Sequence, residues 1–311
     1  MRLSNPLRHP IGVARAVVPR AEGRFHLPGG RRLGYAEYGD PSGAVVLWFH
    51  GTPGGRRQVP MLGRRTAESL GLRIVAVERP GTQLSDQHRY ESLAEWATDI
   101  GHVAESLGAH RLGVVGLSGG GPYALACGAV APLAERVAAV GVLGGVVPAV
   151  GPDASASGIL EFGTGFNPML SRGRGPIAAA VAGLLRPLLP FGHFAYLAFS
   201  GISHEGDRRV FADPEMEPMF IDDIVHVAAG GFRAIIDDGR LFTRDWGFRL
   251  GDVKAPVRWW HGDADPIVSL TGARTAVERL PEGELVVRPG ESHLGGFAVA
   301  DEVLAYIRER L

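Results

Sequence analysis

From Leu112 to Val130 the chain reads LGVVGLSGGGPYALACGAV: an apolar run, a serine set among glycines, then a string of small residues. LGVVGL has no polar side chain on either alternating set, the pattern of a strand buried on both faces, and the small residues after Ser118 suit a helix packed close to a sheet. Gly116-Leu117-Ser118-Gly119-Gly120 fits G-x-S-x-G, in which a sharp strand-to-helix turn lifts a serine hydroxyl to the carboxyl edge of a sheet. With 45 glycines in 311 residues, five such letters match easily by chance. The strand-turn-helix context gives the match its weight, and Gly116 and Gly120 stand where a side chain would collide between strand and helix.

Working outward, short Val, Ile and Leu runs recur at Ala44–His50, Leu72–Val77, Arg111–Gly116, Val137–Leu143, Val257–His261 and Glu284–Val287. Continuous apolar runs of this length predict a mostly parallel sheet with helices on both faces. Glu91–Leu107 is the clearest helix, with Leu93, Trp96, Ile100, Val103 and Leu107 in one stripe, Ser92 and Glu95 as a capping box, and Gly108 as its stop. A second stripe, Phe297, Ala300, Leu304 and Ile307, closes the chain. Arg24–Leu27 and Arg32–Tyr38 around Pro28-Gly29-Gly30 read as an antiparallel hairpin.

The β/α rhythm runs to about Val147 and resumes near Val253. The expected organisation is an N-terminal arm over 1–24, an α/β core over 25–150 and 250–311, and a helical cap over 151–249 inserted between strands, above their carboxyl ends. Leu160, Phe162, Phe166, Met169, Phe191, Phe194, Tyr196 and Phe199 in that insert could line an acyl or aryl pocket or form the insert's own core.

Composition narrows the function. A chain that is 45% hydrophobic and 21% charged can bury a sizeable core. Its 32 Lys and Arg nearly balance 33 Asp and Glu, so no global field recruits nucleic acid or acidic membranes. Cys127 is the single cysteine, so no intrachain disulfide forms, and it reads as a packing residue. Arg2, Arg8, Arg15, Arg20 and Arg24 interrupt any secretory core near the N-terminus, and a cytoplasmic protein is expected. Ile177–Gly201 has the length of a membrane span, but Arg186, Pro187, Pro190 and His193 near its middle argue against one.

A serine hydroxyl needs a neighbouring base. His293, in Gly290-Glu291-Ser292-His293-Leu294-Gly295-Gly296, follows the last apolar strand and precedes the last helix. The base needs a carboxylate to fix its tautomer, and the stretch from Trp259 to Val268 offers Asp263 and Asp265, which the pattern alone does not separate. Two backbone N–H groups must hold a developing oxyanion. Gly119, after the serine, is one. Thr52, in His50-Gly51-Thr52-Pro53-Gly54-Gly55 after another strand, is the other, since Pro53 has no N–H. His50 itself reads as a residue that pins this loop.

These motifs, HGTPGG at 50–55, ERPGTQLSD at 78–86, GLSGGG at 116–121, HGDADPIV at 261–268 and GESHLGG at 290–296, together resemble the α/β-hydrolase fold family, in its serine-nucleophile esterase and aminopeptidase-like branch. The likeness extends from about Phe25 to the C-terminus apart from the cap. It implies a mostly parallel central sheet flanked by helices, a helical cap, and serine, acid, histidine in that chain order. The family's His-Gly-x-x-Asp pattern maps onto His261 to Asp265, which implies Asp265 as the acid. One departure is Gln83, where relatives carry the second glycine of Asp-x-x-Gly-x-Gly-x-Ser.

The resemblance implies a carboxylic-ester hydrolase acting on a small or medium hydrophobic ester, with Ser118, His293 and Asp265 as the triad and no metal or organic cofactor. HGTPGG also resembles the HGGPG of prolyl iminopeptidases, which need carboxylates for a substrate ammonium; Glu205, Asp213, Glu215, Glu217, Asp222 and Asp223 are available. A C–C bond hydrolase, and a catalytically silent ligand-binding protein on the same fold, are the remaining alternatives.

Overall fold

The computed structural model describes residues 18–155, 205–230 and 233–311. Its strands are β1 (Ala21–His26), β2 (Arg32–Gly39), β3 (Ala44–Phe49), β4 (Leu72–Val77), β5 (Leu112–Leu117), β6 (Val137–Leu143), β7 (Val257–Gly262) and β8 (Gly283–Arg288). They form one eight-stranded sheet in the order β1-β2-β4-β3-β5-β6-β7-β8. β2 runs antiparallel to β1 and β4, and every other neighbouring pair is parallel.

Side chains alternate across the sheet, so adjacent residues feed opposite core layers. Trp259 joins one layer with Leu47, Phe49 and Val114; Trp260 joins the other with Val46, Trp48 and Val115. Both layers are apolar at the centre, which is why β5 and β6 are buried along their whole length.

The first layer is covered by α2 (Leu93–Ser106) and α3 (Gly121–Ala129), the second by α1 (Met61–Ser69) and α8 (Ala300–Arg308). Of the expected stripe, Leu93, Trp96, Ile100 and Val103 are fully buried in α2, while Leu107, at the C-cap, is half-buried, and Gly108 ends the helix at φ +63. The capping box does not form. Ser92 makes no side-chain bond at the N-cap, and the Glu95 carboxylate accepts from the Glu91 N–H instead.

α1 and α7 (Leu270–Glu278) have no counterpart in the sequence reading. Their buried faces are built from Gly63, Arg64 and Ala67 and from Gly272, Ala273, Ala276 and Val277, mostly small residues that leave little apolar stripe. β1 also begins at Ala21, earlier than the hairpin arm expected from Arg24, so the last four residues of the expected arm lie in the sheet. Ion pairs hold it there: Glu22 takes Arg56 and Arg57, and Glu37 takes Arg20, and ion pairs leave no hydrophobic rhythm.

Between β6 and β7 the described residues carry α4 (Glu205–Phe211), α5 (Met216–Gly230) and α6 (Arg233–Phe242). The aromatic and aliphatic residues expected to line a pocket, Leu160 to Phe199, and the whole apolar stretch 177–201 lie outside the described residues, as do residues 1–17. Among the described residues no helix is long and apolar enough to cross a membrane.

Candidate active site

β5 ends at Leu117, Ser118 turns the chain and α3 begins at Gly121. Ser118 has φ 49, a left-handed conformation that costs a non-glycine residue energy and is held only where its surroundings demand it. The flanking glycines are the demand. A Cβ at Gly116 would lie 2.4 Å from the Gly120 oxygen, and one at Gly120 would lie 2.2 Å from the Phe49 oxygen. Both obstacles are backbone, so neither can swing aside.

The fold brings together Ser118, after the central strand β5, and His293, after the edge strand β8 and 175 positions later: Ser118 Oγ lies 2.7 Å from His293 Nε2. His293 Nδ1 lies 2.7 Å from Asp265 Oδ2. The other carboxylate oxygen, Oδ1, accepts the N–H groups of Ile267 at 2.8 Å and Val268 at 2.9 Å. Burial works to raise the Asp265 pKa, but the His293 hydrogen bond and charge and the Val268 N–H outweigh it, and the net direction is below the ordinary value. Asp263 is exposed and turned away; it accepts the Gly290 N–H at 2.8 Å. Of the two carboxylates open in the sequence, Asp265 is the one facing His293.

His261 supports this turn. Its Nδ1 accepts from Trp259 Nε1 at 3.3 Å and its Nε2 donates to the Val268 oxygen at 2.8 Å, which assigns the Nε2–H tautomer. Burial lowers its pKa, so it stays neutral beside Asp265.

On the other side of Ser118, the loop after β3 approaches. A Cβ at Gly51 would lie 3.5 Å from Ser118 Cβ, and one at Gly119 only 2.3 Å from Thr52 Oγ1. Gly119 is therefore required for Thr52 to sit against the serine turn. The Gly119 N–H precedes the first hydrogen bond of the turn, and the Thr52 N–H has no backbone acceptor among the described residues. His50 is buried, donates from Nδ1 to the Gly51 oxygen at 2.9 Å and has its pKa driven well down by burial and by Arg79. It pins the loop as a neutral ring.

Asp207 has no place in the sequence reading, and Gln83 entered it only as a departure from the glycine pattern. Asp207 of α4 accepts the Leu294 N–H at 2.7 Å, tying the insert to the turn that carries His293. No local pattern marks it, because the two lie 87 positions apart. Gln83 adopts φ 37, the conformation for which relatives use glycine, and its amide donates to the His226 oxygen of α5. The departure from the glycine pattern thus keeps the backbone shape and adds a tether to the insert.

A family model described as the α/β hydrolase fold matches residues 44–297, from β3 through the His293 turn. The chain belongs to the α/β-hydrolase fold family. Solved structures agree with this α/β hydrolase over nearly its whole length. A bromoperoxidase from Bacillus anthracis is 19% identical, with a TM-score of 0.65 over 93% of this chain and 100% of its own. A thermophilic esterase from Thermogutta terrifontis is 17% identical, with a TM-score of 0.64 over 93% and 98%. An α/β-hydrolase fold protein from Nakamurella multipartita is 23% identical, with a TM-score of 0.64 over 93% and 99%. At these identities the likeness is one of fold. No curated protein matches the chain by sequence.

Proposed function

We propose that this α/β hydrolase is a serine hydrolase that cleaves small or medium hydrophobic carboxylic esters through an acyl-enzyme. The observation that carries the reading is the hydrogen-bonded run from Ser118 Oγ through the His293 ring to Asp265 Oδ2, 2.7 Å at each step. Asp265 accepts from His293 Nδ1–H, which leaves Nε2 to take the serine proton as Oγ attacks the ester carbonyl. The N–H groups of Gly119 and Thr52 hold the oxyanion as it forms. His293 returns the proton to the departing alkoxide. Water, deprotonated by the same nitrogen, then attacks the acyl carbonyl, and Ser118 leaves with its proton restored.

The aminopeptidase alternative needs a free carboxylate for an ammonium. Among the described residues Asp222 pairs with Arg57 and Glu215 with Arg65. Asp223 accepts the N–H groups of Gly55 and Arg57, and Asp213 that of Glu215. Four of the six acids offered by the sequence are thus engaged, and on that balance the ester reading is favoured. Esterases among the structural neighbours agree with it.

The test is hydrolysis of p-nitrophenyl esters from acetate to long acyl chains, with proline p-nitroanilide alongside, for the wild type and Ser118→Ala. Ester turnover that vanishes in Ser118→Ala is expected. A preference for the anilide would overturn the ester assignment, and absence of any Ser118-dependent rate would overturn the enzyme reading in favour of a ligand-binding protein.

A further inference from the structure

The Gly51–Thr52 peptide is held by an unusual concentration of buried partners. Arg79, from the loop after β4, donates from one guanidinium nitrogen to the His50 oxygen at 2.7 Å. From the other it donates to the Gly51 oxygen at 2.6 Å and to Thr52 Oγ1 at 2.9 Å. The Gly51 oxygen also accepts the His50 ring N–H. The N–H of Gly51 is fixed separately by Gln58 Oε1 at 2.6 Å.

Asp238 of α6 completes the set. It pairs with Arg79 at 2.9 Å, and both side chains are 3% exposed. The same oxygen accepts the Thr52 hydroxyl at 2.5 Å, and the other accepts the Tyr123 hydroxyl at 2.7 Å. Tyr123 belongs to α3, the helix that starts just after Ser118. Thr52 Oγ1 thus accepts from Arg79 and donates to Asp238; among the described residues the buried Arg79 Nε has no hydrogen-bond partner.

We infer that Arg79 and Asp238 are positioning residues that aim and polarise the Thr52 N–H as an oxyanion donor, by clamping the Gly51 carbonyl and the Thr52 hydroxyl. In a trans peptide the C=O and N–H point in opposite directions. A charged donor and a ring N–H on the Gly51 oxygen therefore fix the direction of the Thr52 N–H and draw electron density from the same amide, which makes that N–H a better donor. Through Tyr123, the clamp also holds this amide in register with the helix that carries Gly119 at its approach. Thr52 presents its side chain to the protein and only its amide to the site.

This inference rests on the acyl-transfer reading, and the test separates the two. Thr52→Val keeps the branched shape and leaves the Arg79–Asp238 pair intact while removing the hydroxyl that joins them to the loop. Its kcat is expected to fall about ten- to a hundredfold, less than the loss of a whole oxyanion donor, with KM within about threefold. Affinity for a trifluoromethyl ketone, a mimic of the tetrahedral intermediate, should fall with kcat. Thr52→Ser should recover both. Asp238→Asn is expected to speed hydrogen exchange across residues 50–55.

Unchanged kcat and inhibitor affinity in Thr52→Val, or a Thr52→Ser variant as impaired as Thr52→Val, would overturn the clamp. A wild type without Ser118-dependent turnover would overturn the acyl-transfer reading instead. In that case the exchange experiment still decides the clamp, because unchanged exchange of the loop in Asp238→Asn would refute it.

Discussion

Asp265→Asn changes one atom and removes one charge, and the surroundings dictate which way the new amide faces. Asp265 Oδ1 accepts two backbone N–H groups, from Ile267 and Val268. An amide NH2 placed there would set donor against donor, so the carbonyl oxygen must take that position and the NH2 must face His293. His293 Nδ1, 2.7 Å from the replaced atom, can then meet the NH2 only as an acceptor. The ring proton moves to Nε2, the nitrogen facing Ser118 Oγ, which then has no lone pair for the serine proton. The fold should survive, because both backbone bonds are kept.

The same tautomer error in a serine hydrolase costs about 10⁴ in kcat, about 5.4 kcal/mol of transition-state stabilisation. Asp263→Asn is the matched control. Its partner is the Gly290 N–H, and an amide oxygen can replace that acceptor, so kcat should stay within about threefold. The assay is kcat and KM on p-nitrophenyl butyrate, with circular dichroism to establish folding. A folded Asp265→Asn that keeps a tenth of wild-type activity, or an Asp263→Asn that loses as much, would refute the reasoning.

Asp207→Ala leaves the Leu294 N–H without its acceptor, a loss of about 1–3 kcal/mol where the group stays buried. The expected result is a lower Tm and a reduced kcat from a loosened His293 turn, and unchanged values of both would show that the α4 contact positions nothing. Asp223, which holds the 55–57 loop, has its pKa pushed by burial up to about 7. The fold therefore favours its neutral form, and its stabilising contribution is fully present below about pH 4 and is lost as pH rises through about 7. Relative to Asp223→Asn, the wild type should lose about 2.5 kcal/mol of stability to urea between pH 5 and pH 8; a difference that does not change with pH would contradict this.

Much of this molecule is legible in one dimension because its sheet is buried on both faces. A strand with no solvent side, such as LGVVGL, needs no alternation and shows as an apolar run, and G-x-S-x-G after it marks the turn. The amphipathic stripe of α2 is equally local. What the sequence concealed has a physical pattern too. α1 and α7 cover their faces mainly with glycine, alanine and an arginine, so they lack the stripe, and β1 is held by charges that resemble an exposed loop.

For the candidate site, residue types and chain order determined the members: a serine at an elbow, a histidine after the last strand and two aspartates after β7. The choice of which carboxylate meets His293 belongs to tertiary structure, because Asp263 and Asp265 sit on one short turn and differ only in the direction that turn gives them. The partners of the Thr52 loop belong there as well. Asp238 is 186 positions from the threonine whose hydroxyl it accepts, and hydrogen bonding between groups so far apart depends on how layers stack, which no local spacing encodes.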